Sequence, residues 1–309
     1  MGWDRWNAVS QAMSDFSGGY AKRFEAACAT ESTDRGALAR ALDALADDVE
    51  GAKAQARLER ERIAAHEAWQ ERVAECERVE KFAFSGGFPS LAVFPGLEPS
   101  TRPRRPPEIS ASFGPGIRNR YAGGGDAGGT TSAAPASLRS FVSRSRALTS
   151  RMSAGRSDVR GAVAAYTGAC SWAPLSVSAL LTGFSRLIEE NRADEIWIED
   201  VASAFEAAGK GALGDFDVML VVNARHPEEL SKLLLSGTLT QAQIAATWAA
   251  LTKSADFDAE KFIKKHSFEL GVFLRDVGQS ADGWLAADGG VGPVVIVGVQ
   301  PGRECVAAG

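Results

Sequence analysis

Seven side chains in this 309-residue chain are cysteines or histidines, the types that ligate zinc and that act as thiol nucleophiles or imidazole bases: Cys28, Cys76, Cys170, Cys305, His66, His226 and His266. Zinc sites place such ligands a few residues apart, because four of them must converge on one tetrahedron. None of the seven stands at that spacing from another, so the pattern predicts no metal. A nucleophilic thiol needs a neighbour that lowers its pKa, and nothing beside Cys305 would do so. An isolated buried thiol is the expectation for all four cysteines. His66 falls on a helical stripe near Trp69 and reads as a partly buried seam residue. His226 precedes Pro227 and reads as a helix-entry residue, while His266 in "KKHSFEL" has basic neighbours and no nearby acid. The run "GGGDAGG" lacks a preceding strand and a following phosphate-binding lysine, so it reads as linker. No GxSxG nucleophile elbow accompanies "PVVIVG". The expectation is a non-enzymatic chain with no catalytic residue, no cofactor-binding residue and no metal. The competing enzyme reading, a toxin or hydrolase-like activity from Asp215 onward, requires a pocket that joins His226, His266 or Cys305 to a carboxylate.

The elements that would position any site are helical. With 45% hydrophobic and 24% charged residues the chain can bury a sizeable core. A net charge of -5 argues against a nucleic-acid partner. The basic runs at Arg102, Arg104, Arg105 and from Arg139 to Arg160 read as solvated faces. The opening residues are interrupted by acids, which predicts no cleavable signal peptide, and Trp6 occupies the position where a myristoylation signal carries Ser or Thr.

Trp6, Val9, Met13, Phe16 and Tyr20 recur at three- and four-residue steps, which predicts an opening helix reaching Tyr20 or Cys28. Ser32, Thr33 and Asp34 are then candidate N-caps. From Leu38 through Leu42, Leu45, Val49, Ala52, Ile63, His66, Trp69 and Val73 to Cys76 the stripe is coiled-coil-like, with Glu and Arg on the far side. A helix of roughly 45 residues cannot bury such a stripe alone. Its partner is expected to be the opening helix or another chain, and a coiled-coil structural protein that forms a homo-oligomer is a further reading. Prolines and glycines between residues 82 and 136 predict a linker, with Phe82, Phe84, Phe88, Leu91, Val93 and Phe94 docking its early part on a helix.

Two more long stripes follow, Leu138 to Tyr166 and Leu180 to Phe205, and Gly209 and Gly211 end the second. Between them, "AYTGACSWAPLSVSALLTGF" has the length of a membrane span. A span needs about 20 predominantly apolar residues. Here Ser, Thr and Gly interrupt, and Pro174 at the midpoint removes a helix hydrogen bond. An antiparallel helical hairpin turning at Ser171–Pro174 explains both flanking stripes, so no stable transmembrane insertion is expected. Shorter helices follow: Pro227 opens one that ends before Gly237, and Thr240 caps another that buries Ile244, Trp248 and Leu251. Pro293 to Val299 predicts one short β-strand.

The sequence "SAAPASLRSFVSRSRALTSRM", then "CSWAPLSV", then "LLTGFSRLIEENRADEIWIEDVASAFEAAG" resembles the WxG-type helical hairpin of actinobacterial type VII secretion substrates. It is similar above all to the N-terminal modules of exported effectors and toxins. Trp172-Ala173-Pro174 stands where that family has Trp-x-Gly, with Pro174 in place of the glycine. Trp197, Ala204 and Phe205 match the family's closing pattern on the second helix. The resemblance implies a small WxG-type helical partner protein, contact with the secretion machinery, and synthesis in the cytoplasm followed by secretion without a cleavable signal. Cytoplasmic retention is the alternative, since the family's Tyr followed four residues later by an acid does not occur after Phe205. Trp172 and Pro174 are then the turn, and Phe184, Trp197 and Phe205 the packing residues. The expected organisation is mainly all-α. Residues 1–81 form a charged, coiled-coil-like region, 82–136 a linker, 137–211 the hairpin, and 212–309 a small, mostly helical C-terminal region read as a shortened effector start.

Overall fold

The periodicities resolve into a mainly all-α fold in a computed structural model that describes residues 2–85, 94–120, 129–209 and 211–267. The described helices are α1 (Gly2–Met13), α2 (Gly19–Ser85), α3 (Pro135–Ala169), α4 (Ser178–Ala208), α5 (Asp215–Asn223), α6 (Pro227–Leu234), α7 (Gln241–Thr252) and α8 (Ala259–Lys265). Four short strands accompany them: β1 (Ile109–Ser110), β2 (Thr130–Ser132), β3 (Leu175–Ser176) and β4 (Ala212–Gly214). The strand expected over Pro293 to Val299 lies outside the described residues, as do Cys305, Phe88, Leu91, Val93 and most of the glycine-rich run.

Two boundaries differ from the sequence expectation. The opening helix stops at Met13 instead of reaching Tyr20, because Gly18 takes a positive φ of 96° and Ser17 exchanges two backbone hydrogen bonds with Ser132, at 2.9 and 3.1 Å. A Cβ on Gly18 would stand 2.3 Å from the carbonyl oxygen of Thr130, so the close approach of the two segments requires glycine. Conversely, Ser32, Thr33 and Asp34 cap nothing. They lie inside α2, which runs unbroken for 67 residues, and the Asp34 carboxylate instead accepts the backbone N–H of Gly116 at 2.9 Å.

The chain forms two compact units. The first comprises Met1–Thr30, Ile117–Leu148 and Glu190–Gly309. Its core gathers Phe16, Tyr20 and Phe24 with Leu138, Phe141, Trp197, Val201 and Phe205, and the short helices add Met219, Leu230, Ile244 and Leu251. Phe24 meets Phe141 edge-on at 4.8 Å between ring centres. In this unit α3 and α4 run antiparallel: Arg139 reaches Glu206 and Glu199, and Ser145 donates to Glu195 at 3.0 Å. Strands β2 and β4 pair antiparallel beside them. Thr240 caps α7 with the reciprocal Gln243 bond of a capping box, and Gly237 follows α6 at a φ of 70°.

The second unit comprises Glu31–Gly116 and Thr149–Glu189. It corrects the expected partner of the long charged stripe. Leu38, Leu45 and Ala52 of α2 are buried with Met152 of α3 and with Leu180, Phe184, Leu187 and Ile188 of α4. The hairpin of the same chain, and not the opening helix, covers that part of the stripe. Farther along α2 an extended segment returns over it. Trp69 donates to the Gly96 carbonyl at 3.2 Å, Arg72 to Pro95 at 3.1 Å and Arg62 to Ser100 at 3.1 Å. Docking was expected through apolar side chains, yet Phe82 and Phe94 are 75% and 87% exposed. Polar side chains of α2 hold the returning backbone because prolines leave its carbonyls without ladder partners.

Candidate functional site

The residues singled out by the hairpin pattern fall in different places. Helix α3 ends at Ala169 and α4 begins at Ser178, so the apolar stretch between Arg160 and Arg186 is broken in its middle. No described helix is long and apolar enough to cross a membrane. Trp172 is half-buried against the core of the second unit, Ala173 is fully buried and Pro174 is exposed. The link is more than a turn. Leu175 and Ser176 pair in parallel with Ile109 and Ser110, and the Ala111 N–H adds a bond to the Ser176 carbonyl at 3.1 Å. The stretch expected to be linker thus supplies a strand to the hairpin tip, and Ile109 is wholly buried there.

At this tip the thiol of Cys170 sits among polar hydrogens. The backbone N–H of Ala173 pulls it below the ordinary thiol range, the Tyr166 hydroxyl adds to this, and burial opposes both before Trp172 N–H and Arg60 contribute. The Tyr166 hydroxyl has a single proton, which is shared between the thiol and the Ala173 carbonyl at 3.1 Å, and burial, then the hydrogen bond to Cys170, pushes that hydroxyl up. Sequence spacing missed Cys170 because the donors come from residues folded back over it. The expected outcome is that iodoacetamide labels Cys170 with a pH midpoint below the free-thiol value of about 8.5. Peptide mass mapping reads each thiol separately, and buried Cys76 should label more slowly. A Tyr166→Phe variant should move the midpoint upward, and an unchanged midpoint would contradict the assigned role. The sign for stability follows: this depressed thiol stabilises the fold above the unfolded thiol's pKa, and the contribution fades as pH falls through the folded value.

Phe184 lies in the core of the second unit, while Trp197 and Phe205 lie in that of the first at 2% and 1% exposure. All three face the protein's own interior. The histidines are separate. His66 stacks near Trp69 at 5.9 Å and approaches Glu98 at 3.8 Å. His226 precedes α6 and lies 3.5 Å from Glu228, and His266 packs on Phe262 at 4.8 Å. Among the described residues no group of His, Cys, Asp and Glu has the arrangement of a metal site.

Two polar constructions in the first unit escaped sequence reasoning. A cleft of about 1000 Å³ is lined by Lys22, Arg23, Asn119, Thr130 and Asp215, among others. Asp215 opens α5 and is 5% exposed. Its carboxylate accepts the Thr131 hydroxyl and lies where a Cβ on Gly19 or Gly129 would collide with it, at 2.6 and 2.3 Å. Both α2 and α5 begin beside that carboxylate, so it complements the free N–H groups of two helix starts. The only sequence signal was an acid at a helix opening after glycine. The second construction is a buried ion network in which Arg118 bonds Asn191 at 2.8 Å and Asp194, and Arg120 bonds Asp194 at 2.7 Å and Glu190. Arg118 and Arg120 come from the stretch read as linker, whose composition does not reveal which arginines become buried.

Compared with protein-family models, curated proteins and solved structures, the chain matches none.

Proposed function

We propose that this chain is a non-enzymatic helical adaptor module of a type VII secreted effector, acting through helix–helix association with a small WxG-type partner. The observation that carries this reading is the tip of the hairpin. Trp172 packs at the bend between two long helices, and its neighbours are held by the Tyr166 bond and by the pairing of β3 with β1. An ordered bend fixes how the two helix ends that it joins meet, which is what groove-and-helix recognition requires at the tip.

Trp197 and Phe205 support the reading in a different sense than a contact surface would. They maintain the second helix from inside, and the partner then meets outward residues such as Ile196, which is half exposed. The export route is proposed from resemblance to the WxG-type pattern, with the partner supplying the Tyr-containing signal that is missing after Phe205. Co-expression with small helical proteins encoded beside this chain should yield a stable complex by size-exclusion chromatography, and the native host should release the chain to the medium. Absence of both complex and export would remove the proposal. A complex that survives Ile196→Asp unchanged would move the contact elsewhere on the module.

A further inference from the structure

Not all the basic runs become solvated faces with acid partners. Arg139 is held by Glu199 and Glu206, and Arg146 approaches Glu199 at 3.7 Å. Arg102, Arg104 and Arg105 differ: among the described residues none of their side chains meets a carboxylate, and all three are exposed. They line a cleft of about 810 Å³ in the second unit together with Arg62, Ser100, Pro103 and Pro106, a lining with no acidic residue.

The backbone that carries these arginines is constrained. Arg102 and Arg105 each precede a proline, which excludes helical geometry and extends the chain. Residues three apart on an extended polyproline backbone point to the same side, about 9 Å apart at 3.1 Å per residue. Arg102 and Arg105 have that spacing. Glu59 anchors the segment to α2 by accepting the Arg104 backbone N–H at 3.1 Å and the Arg62 guanidinium at 2.8 and 2.9 Å. Its charge acts on Arg62 first and on Arg104 as well, so the guanidinium groups of Arg62, Arg102, Arg104 and Arg105 meet at one mouth with a single carboxylate among them.

From this arrangement we infer that the cleft bounded by Arg62, Arg102, Arg104 and Arg105 binds a compact oligophosphate anion of the di- or triphosphate class. Planar guanidinium forks donate two parallel hydrogen bonds to phosphate oxygens, and a triphosphate brings charge enough for three arginines where a single carboxylate does not. A long polyanion would need the basic lining to continue, and this lining is confined to Arg62 and residues 100–106. The inference does not depend on the secretion reading, since it uses only residues 59, 62 and 100–106.

Isothermal titration of the full chain with sodium tripolyphosphate at physiological salt tests it. Saturable one-to-one binding is expected, about tenfold or more weaker in an Arg102→Gln, Arg104→Gln, Arg105→Gln variant and about tenfold weaker for inorganic phosphate. The three side chains are exposed, so circular dichroism should show an unchanged fold in the variant. No saturable binding to the wild-type chain, or equal affinity in a folded triple variant, would overturn the inference. So would tighter binding of a single-stranded oligonucleotide than of tripolyphosphate at the same salt, which would make the groove a nucleic-acid surface.

Discussion

Replacing Asp194 by alanine is expected to destabilise the fold by about 3–5 kcal/mol, the usual cost of removing one partner from a buried ion pair. Asp194 is the carboxylate shared by Arg118 and Arg120, and the side chains of Asp194 and Arg118 are 6% and 0% exposed. Removing it leaves two guanidinium groups in the interior without the carboxylate they share, while Arg118 keeps its bond to Asn191 and Arg120 its bonds to Glu190. Burial pulls the Arg120 guanidinium down, and in the intact network Asp194 together with Glu190 more than offsets this; a guanidinium does not give up its proton when the carboxylate is lost, so the charge is stranded. Urea unfolding measures the change. A double-mutant cycle with Arg120→Met separates the coupling from the cost of a stranded charge: if the pair is coupled, the second substitution should recover part of the loss. A loss below about 1 kcal/mol would place Asp194 among exposed pairs and contradict its burial.

The second large effect belongs to Gly183→Ala. In the interior of a helix this change ordinarily gains about 1 kcal/mol. At Gly183 the added Cβ would stand 1.9 Å from the carbonyl oxygen and 2.6 Å from the carbonyl carbon of Phe113, both backbone atoms. Neither can rotate away, so residues 109–116 must lift off α4, and the expected net cost is about 3 kcal/mol. Hydrogen exchange should show lost protection of the Ala111 N–H, which bonds Ser176. Gly155→Ala and Gly161→Ala provide the contrast. Both sit in α3 with nothing within 4 Å of the new Cβ, and each should stabilise the chain by about 0.5–1 kcal/mol. Equal effects at all three positions would refute the close contact.

Helical content was legible because each long helix carries its own repeat. Leu38, Leu45 and Ala52, then Leu138, Phe141 and Val142, then Leu180, Phe184 and Leu187 announce a buried face by spacing alone. Local chemistry was legible for the same reason: Thr240 three residues before Gln243, Pro227 at a first helical position, and Gly237 after a last turn act within one turn of the chain. The break at Ser171–Pro174 was legible from proline sterics. The end of the first helix was not, because Gly18 turns the chain in response to Ser132, more than a hundred residues away, and no local window contains that contact.

The candidate sites were less legible than the fold. Cys170 acquires its character from Ala173 and Tyr166 only once the tip is folded, and Asp194 becomes a shared counter-ion only when residues 118 and 120 pass beside α4. By itself the sequence determined that the long stripes are helices, which faces the segments Leu38–Ala52, Leu138–Met152 and Leu180–Phe205 bury and where the hairpin bends, because these depend on interactions within a few residues. Tertiary structure alone decided which surfaces meet: that the charged stripe of α2 is covered by α3, α4 and a returning extended chain, that the supposed linker adds a strand at the tip, and which arginines are buried and which stay open. Those outcomes rest on contacts between residues far apart in the chain, where many pairings satisfy the same periodicity and only close packing distinguishes among them.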